Sequence, residues 1–290
     1  MNGAYLAAAA TGVQVGAALV ASAAVVGETG SGMLGLLRYG VALLVIAPMA
    51  WRAGGPALSR RDLLPVALMG MAQFGVLIAL LNLAVQWAPA AHVALVFATL
   101  PLLTLGVAWL LERQPVGARA LLAIGVSVAG VGVLLGAQAG AGGGSRQAWA
   151  GLGCAALATV IGAVCSALYR PYLRRYGVMR VSPVAMVAAL PLLVLLAAVE
   201  GTPVPVGQWP LSTLALILAI GLSSGVGYLL WLYALQVAPA GVATAFLGLS
   251  PVTALLLSVL FLGASLTPPL LLACALVVGS LVLLARPAAP

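Results

Sequence analysis

Lysine is absent from this 290-residue chain, and acidic residues are nearly so. Only Glu28, Asp62, Glu112 and Glu200 carry negative charge, against twelve arginines, and charged residues of both signs make up 6% of the whole. A soluble domain usually devotes about 25% of its residues to charge, so this composition cannot furnish a water-facing surface. There is one histidine, His92, and the three cysteines, Cys154, Cys165 and Cys274, fall inside apolar runs without metal-ligand spacing. The cysteines read as small buried residues, and no metal or cofactor is implied. With no HExxH-like helix and no paired carboxylates, the chain is a poor intramembrane enzyme. Nothing resembles the rings of carbonyls or charges that make an ion-channel filter.

What is present is apolar length. Hydrophobic residues are 64% of the chain and mean hydropathy is +1.23. A helix crossing the hydrocarbon core needs about 20 apolar residues. Breaks at Gly, Pro and Arg clusters predict spans over 3–26, 32–50, 63–86, 90–111 and 116–136. Five more are predicted over 148–169, 181–199, 211–236, 240–262 and 268–285. The first run lacks a basic n-region and exceeds a signal-peptide core, so it reads as a span. The arginines form no stripe with interleaved aromatics, which speaks against nucleic acid. They lie in short gaps: with the N-terminus inside, Arg52, Arg60, Arg61, Arg113, Arg119, Arg170, Arg174, Arg175, Arg180 and Arg286 all fall on the inner side and only Arg146 outside. The positive-inside rule therefore puts both termini in the cytoplasm.

Internal repetition gives the organisation. Ala84-Val-Gln-Trp-Ala-Pro-Ala90 returns as Ala234-Leu-Gln-Val-Ala-Pro-Ala240, and Pro101 returns as Pro251 in the same register. Two copies with an odd number of spans must sit upside down relative to each other, an arrangement that recurs in secondary transporters with a site near the bilayer midplane. The fold class expected is an all-α integral membrane protein of ten transmembrane helices in two inverted five-helix repeats. Its units are 1–138, a Gly-rich linker 139–147, and 148–290.

Polar residues within spans are costly and tend to face the bundle interior or a water-filled cavity. Thr11, Gln14, Ala18 and Ser22 share one face of span 1, and Thr159, Gly162, Ser166 and Tyr169 share one face of span 6. The first three of each set align at a constant offset of 148, so the two faces could form opposite walls of one cavity. The alternative is that the hydroxyls bond their own helix carbonyls while Gly12 and Gly16 allow close packing. Span 8 adds Ser224, Tyr228 and Trp231, and span 3 adds Gln73, Asn82 and Gln86. Aromatic rings with polar tips suit an amphipathic or aromatic small-molecule substrate. Gln86, Trp87 and Gln236 lie at membrane edges and read as interfacial anchors.

Arg38 lies inside span 2, where an arginine costs up to about 2.5–3.5 kcal/mol at mid-membrane. It is expected to pair with Glu28 or a helix terminus, or to attract an anionic group on the substrate. The candidate cavity residues are thus Thr11, Gln14, Arg38, Gln73, Asn82, Thr159, Ser166, Tyr228 and Trp231. His92 and Glu112 are the candidates for carrying a coupling proton, although no acid sits clearly at mid-membrane. Pro101 and Pro251, near the middle of spans 4 and 9, are candidate hinges.

The ten-span pattern, Leu37-Arg38-Tyr39, the paired Gln86-Trp-Ala-Pro89 and Gln236-Val-Ala-Pro239, Leu111-Glu112-Arg113 and Leu262-Gly263 together resemble the EamA-type members of the drug/metabolite transporter superfamily. The resemblance covers nearly the whole chain. It implies a ten-helix transporter of the cell (inner) membrane with helices 5 and 10 peripheral, the other eight around a central cavity, and export of amino acids, metabolites or toxic compounds.

Overall fold

In a bilayer every backbone N–H and C=O must be satisfied within the protein, which leaves helices as the solution for an apolar chain of this kind. A computed structural model describes residues 2–54, 56–112, 117–140, 145–237 and 246–285. Among them the regular structure is entirely helical. In chain order, α1 is Asn2–Thr29, α2 Ser31–Arg52, α3 Arg60–Trp87, α4 the two pieces Ala90–Phe97 and Leu100–Glu112, and α5 Ala118–Gly140. The second half has α6 Arg146–Tyr176, α7 Val178–Glu200, α8 Leu211–Val237, α9 Phe246–Leu262 and α10 Pro268–Ala285. Eight helices, α1 to α8, are long and apolar enough to cross a membrane, while Phe246–Leu262 and Pro268–Leu284 are shorter apolar helices.

Boundaries moved where local chemistry overrode composition. The predicted end of span 6 at 169 gives way to a helix that continues through Pro171 to Tyr176, with Arg174 and Arg175 in its last turn, where cations suit the helix dipole. It stops at Gly177, whose φ of 74° and ψ of 160° turn the chain directly into α7. Gly30 does the same between α1 and α2 with φ 76° and ψ 163°. These are matched single-residue corners, and a side chain would be strained at either. The Gly-rich linker begins as the last turn of α5; residues 141–144 lie outside the described residues, as do Pro239, Ala240 and Arg286.

The helices pack as a bundle whose pairings largely map onto themselves when the halves are exchanged. α1 lies against α8 as α6 does against α3, α2 against α8 as α7 against α3, and α1 against α9 as α6 against α4. The pairs α2–α7, α4–α9 and α5–α10 join equivalent helices. α5 and α10 pack chiefly on each other, at the bundle's edge. Glycines permit the close approaches: a Cβ on Gly75 would meet Leu192 and Ala189 of α7, and one on Gly225, 150 residues on, would meet Ala42 and Val45 of α2.

The exchange is not complete among the described residues. The Leu77–Trp87 part of α3 packs on α1 and on α2, and no contact of comparable extent joins the matching part of α8 to α6 or α7 among the described residues. One end of the bundle carries Glu28, Glu200 and Trp209. The other end carries Arg52, Arg60, Asp62, Arg175 and Arg180.

Candidate functional site

The polar and aromatic side chains of the bundle interior gather where α2, α3, α7 and α8 meet. The middle of α3 is a π-helical stretch, Met71–Val76, inserted between two regular segments. Such insertions rotate the residues that follow and recur at functional sites. This one carries Gln73 and Phe74. The Phe74 ring stands edge-on to Tyr39 of α2, with centroids 5.3 Å apart, and edge-on to Tyr228 of α8 at 6.1 Å. The Tyr228 hydroxyl shares a 2.6 Å hydrogen bond with Ser182 of α7. Tyr169 of α6 is within electrostatic reach of Tyr228, and its buried hydroxyl has no partner. Both halves thus contribute to one aromatic chain with polar tips.

Two polar groups beside this chain are unsatisfied. Gln73 Oε1 and Arg38 Nε are buried with no hydrogen-bond partner. The expected pairing of Arg38 with Glu28 or a helix terminus is not made, and both acids of that end have other partners. Thr213 Oγ1 of α8 donates to Glu28 Oε2 at 2.6 Å. Glu200 occupies the start of α2: the Ser31 and Gly32 N–H groups donate to its two carboxylate oxygens at 3.0 and 2.8 Å. A carboxylate there satisfies orphan amides and complements the helix dipole.

The remaining predicted residues are placed as follows. Thr11 Oγ1 lies 2.9 Å from the carbonyl of Ala7 and 3.3 Å from that of Gly227, and Gln14 donates to Ser223 Oγ at 3.4 Å, so both sit in the α1–α8 contact. Thr159 and Ser166 donate to Ala155 and Gly162 of their own helix at 2.7 and 2.6 Å. Asn82 Nδ2 donates to the Ser31 carbonyl at 3.0 Å, at the Glu200 end. Trp231 packs with Ala4, Ala7 and Ala8 in a separate cluster towards the other end, where Tyr5 stacks on Phe246. Structure therefore brings Arg38, Gln73 and Tyr228 to one region and leaves Thr11, Gln14, Asn82 and Trp231 in helix contacts around it.

His92 opens α4 against Gln138 of α5, away from the aromatic chain, with Nδ1 buried and unpartnered. Glu112 closes α4, and its side chain lies outside the described residues. The two prolines do not kink continuous helices. Pro101 and Pro251 each stand in the first turn after an interruption, where a missing N–H is tolerated. The interruptions match: Ala98 has φ −64° and ψ −13°, and Gly248, 150 residues later, φ −59° and ψ −15°. At the Asp62 end, Asp62 accepts from Ser59 at 2.9 Å, from Arg175 at 3.2 Å and, through a short hydrogen bond, from Tyr176. An open cleft of about 250 Å³ lined by Trp87, Arg146, Gln147 and Ala150 lies where α3 ends and α6 begins, apart from the aromatic chain.

A bundle of two exchangeable halves with convergent polar and aromatic groups inside defines a multi-pass membrane protein of the transporter kind. The sequence model of the EamA-like transporter family matches twice, over residues 2–136 and 149–286, and the chain belongs to that family. A solved structure described only as the crystal structure of a protein is similar over 97% of this chain and 94% of its own, with a TM-score of 0.69 and 24% identity. That likeness concerns the fold alone. Comparison with curated protein sequences finds no significant match.

Proposed function

We propose that the chain is a ten-span transporter of small organic molecules that works by alternating access, with substrate held in the region of Tyr39, Phe74 and Tyr228. The observation that carries this reading is that one aromatic–polar cluster is built by α2 and α3 of the first half and α7 and α8 of the second. A ligand touching both halves is the arrangement in which exchanging their conformations moves a site from one side to the other. An amphipathic or aromatic solute suits rings with hydroxyl tips. Family membership favours export, and arginine placement favours an inner-membrane protein with the Asp62 end and both termini in the cytoplasm.

In this reading the structure is the state closed at the Glu200 end. The clamp of Glu200 on α2 and the packing of α3 on α1 and α2 support closure there, whereas the Glu28–Thr213 bond of α1 with α8 has its counterpart in the Asp62–Tyr176 bond of α3 with α6 and favours neither end. Opposite, the start of α7 has no side-chain cap, and Arg52 and Arg180 stand at the corresponding ends of α2 and α7. The interruptions before Pro101 and Pro251 are the proposed hinges.

Purified protein in liposomes, tested with a panel of amino acids, aromatic metabolites and dyes, should accelerate the flux of at least one. Correctly folded protein that moves none would sink the proposal. A second reading, an uncoupled facilitator, is favoured by the position of the acids Glu28, Asp62, Glu112 and Glu200 at helix ends. Accumulation against a gradient under an imposed pH difference, abolished by His92→Ala or Glu112→Gln, would instead support proton coupling.

A further inference from the structure

Arg38 stands seven residues into α2, roughly 10 Å along the helix axis from its start, between Gly35 and Ala42 on the stripe that faces the interior. A Cβ on Gly35 would meet Leu193 and Ile78, and one on Gly221 would meet the Arg38 carbonyl, so this turn packs against α3, α7 and α8, with the Arg38 side chain half-buried. Arg180, whose Nε is also unpartnered, is only the third residue of α7, where a long side chain reaches the headgroup layer. Arg38 is deeper, with Nε buried.

A guanidinium within the membrane normally pairs with an acid or with carbonyls. Glu28 is bonded to Thr213, Glu200 to the first amides of α2, and Asp62 to Ser59, Arg175 and Tyr176 at the far end. Glu112 closes α4 at that same far end. Among the described residues nothing accepts from Arg38, whose neighbour is the Tyr39 ring, 5.9 Å from its guanidinium carbon. Tyr39 in turn meets Phe74, so Arg38–Tyr39 and Gln73–Phe74 confront each other at one depth. The cation belongs to one half only: with the corners Gly30 and Gly177 aligned, its counterpart is the buried Ala185.

We propose that Arg38 is an anion-recognition residue, and that the transported molecule carries a carboxylate, phosphate or sulfonate on an aromatic or apolar body. This rests on the transporter reading. The planar guanidinium offers a fork that such a group accepts in two hydrogen bonds, and the neighbouring rings take the apolar body. The charge left uncompensated in the protein alone is compensated by the ligand.

The test uses the full-length protein and matched probes: 4-phenylbutyrate, phenyl phosphate and benzenesulfonate against neutral 4-phenylbutyramide and benzenesulfonamide. At least one anion should bind or cross ten-fold better than its neutral partner. Arg38→Gln should lower the anion's affinity ten-fold or more while sparing the neutral compound, with Arg38→Lys intermediate. Without ligand, Arg38→Met should unfold at a higher temperature than the wild type, because an unpaired cation has been removed; a purely structural arginine predicts the reverse. Equal handling of anion and neutral partner, an unchanged anion affinity in Arg38→Gln, or binding of none of the anions overturns the inference. If neutral solutes alone are carried, transport stands and the anion assignment falls; if no solute of any kind moves, the transporter reading itself fails. Should Arg38→Gln not fold, the wild-type comparison of anion with neutral partner still decides.

Discussion

Gly32 and Gly207 have the same side chain and opposite consequences. A Cβ on Gly32 would stand 2.5 Å from the Ala197 nitrogen of α7, whereas one on Gly207 would meet nothing within 4 Å. Gly32→Val should therefore force α2 away from α7 and cost about 1–3 kcal/mol, as overpacking does. Gly207→Ala should stay within about 0.5 kcal/mol of the wild type. Thermal unfolding in detergent separates the two. Tyr228→Phe deletes the 2.6 Å bond to Ser182 while keeping the ring on Phe74, so stability should fall by about 0.5–1.5 kcal/mol and solute handling should change more than insertion. At this scale the sequence was partly legible. Polar residues inside apolar spans announced themselves by their cost, which drew attention to Arg38, Gln73 and Tyr228. Which of them converge depends on contacts between helices distant in the chain, and for Thr159 and Ser166 the competing bond to their own helix was available from the start.

Among elements, α3 and the start of α2 hold the contacts most distant from sequence-level signals. The π stretch Met71–Val76 has no signature in its residues, because a single inserted position is stabilised by packing on α7 and not by local propensity. Deleting Ala72 should restore a regular helix and rotate Phe74 out of the aromatic chain, abolishing solute binding while leaving membrane insertion intact; unchanged binding would show that the π turn is incidental. The Glu200 clamp was equally hidden, since its partners lie 169 and 168 residues away. Glu200→Ala strips the cap from α2 and should lose about 1 kcal/mol of closure, the usual value of a helix cap. A cysteine placed at Ser224 should then react faster with a membrane-impermeant thiol reagent applied from the Glu200 side. By contrast the matched prolines were readable from spacing alone, although the structure puts each of them after an interruption and not within a kinked helix.

The molecule as a whole was the most legible level, because hydropathy, arginine placement and a 150-residue repeat are long-range averages that local detail does not disturb. They gave the helical bundle and its two copies, and the family model likewise matches twice, over 2–136 and 149–286. What they could not give is the detail of the two ends: α3 packed on α1 and α2 at one, Arg52 and Arg180 at the other. The most direct test is a pair of distance measurements by spin labelling in nanodiscs, with the three native cysteines replaced. One pair, at Gly27 and Trp87, reports the Glu200 end; the other, at Arg174 and Tyr233, reports the opposite end. In Glu200→Ala relative to the wild type, the first distance should lengthen as the second shortens. Distances that stay fixed, or that change in the same direction at both ends, would contradict alternating access.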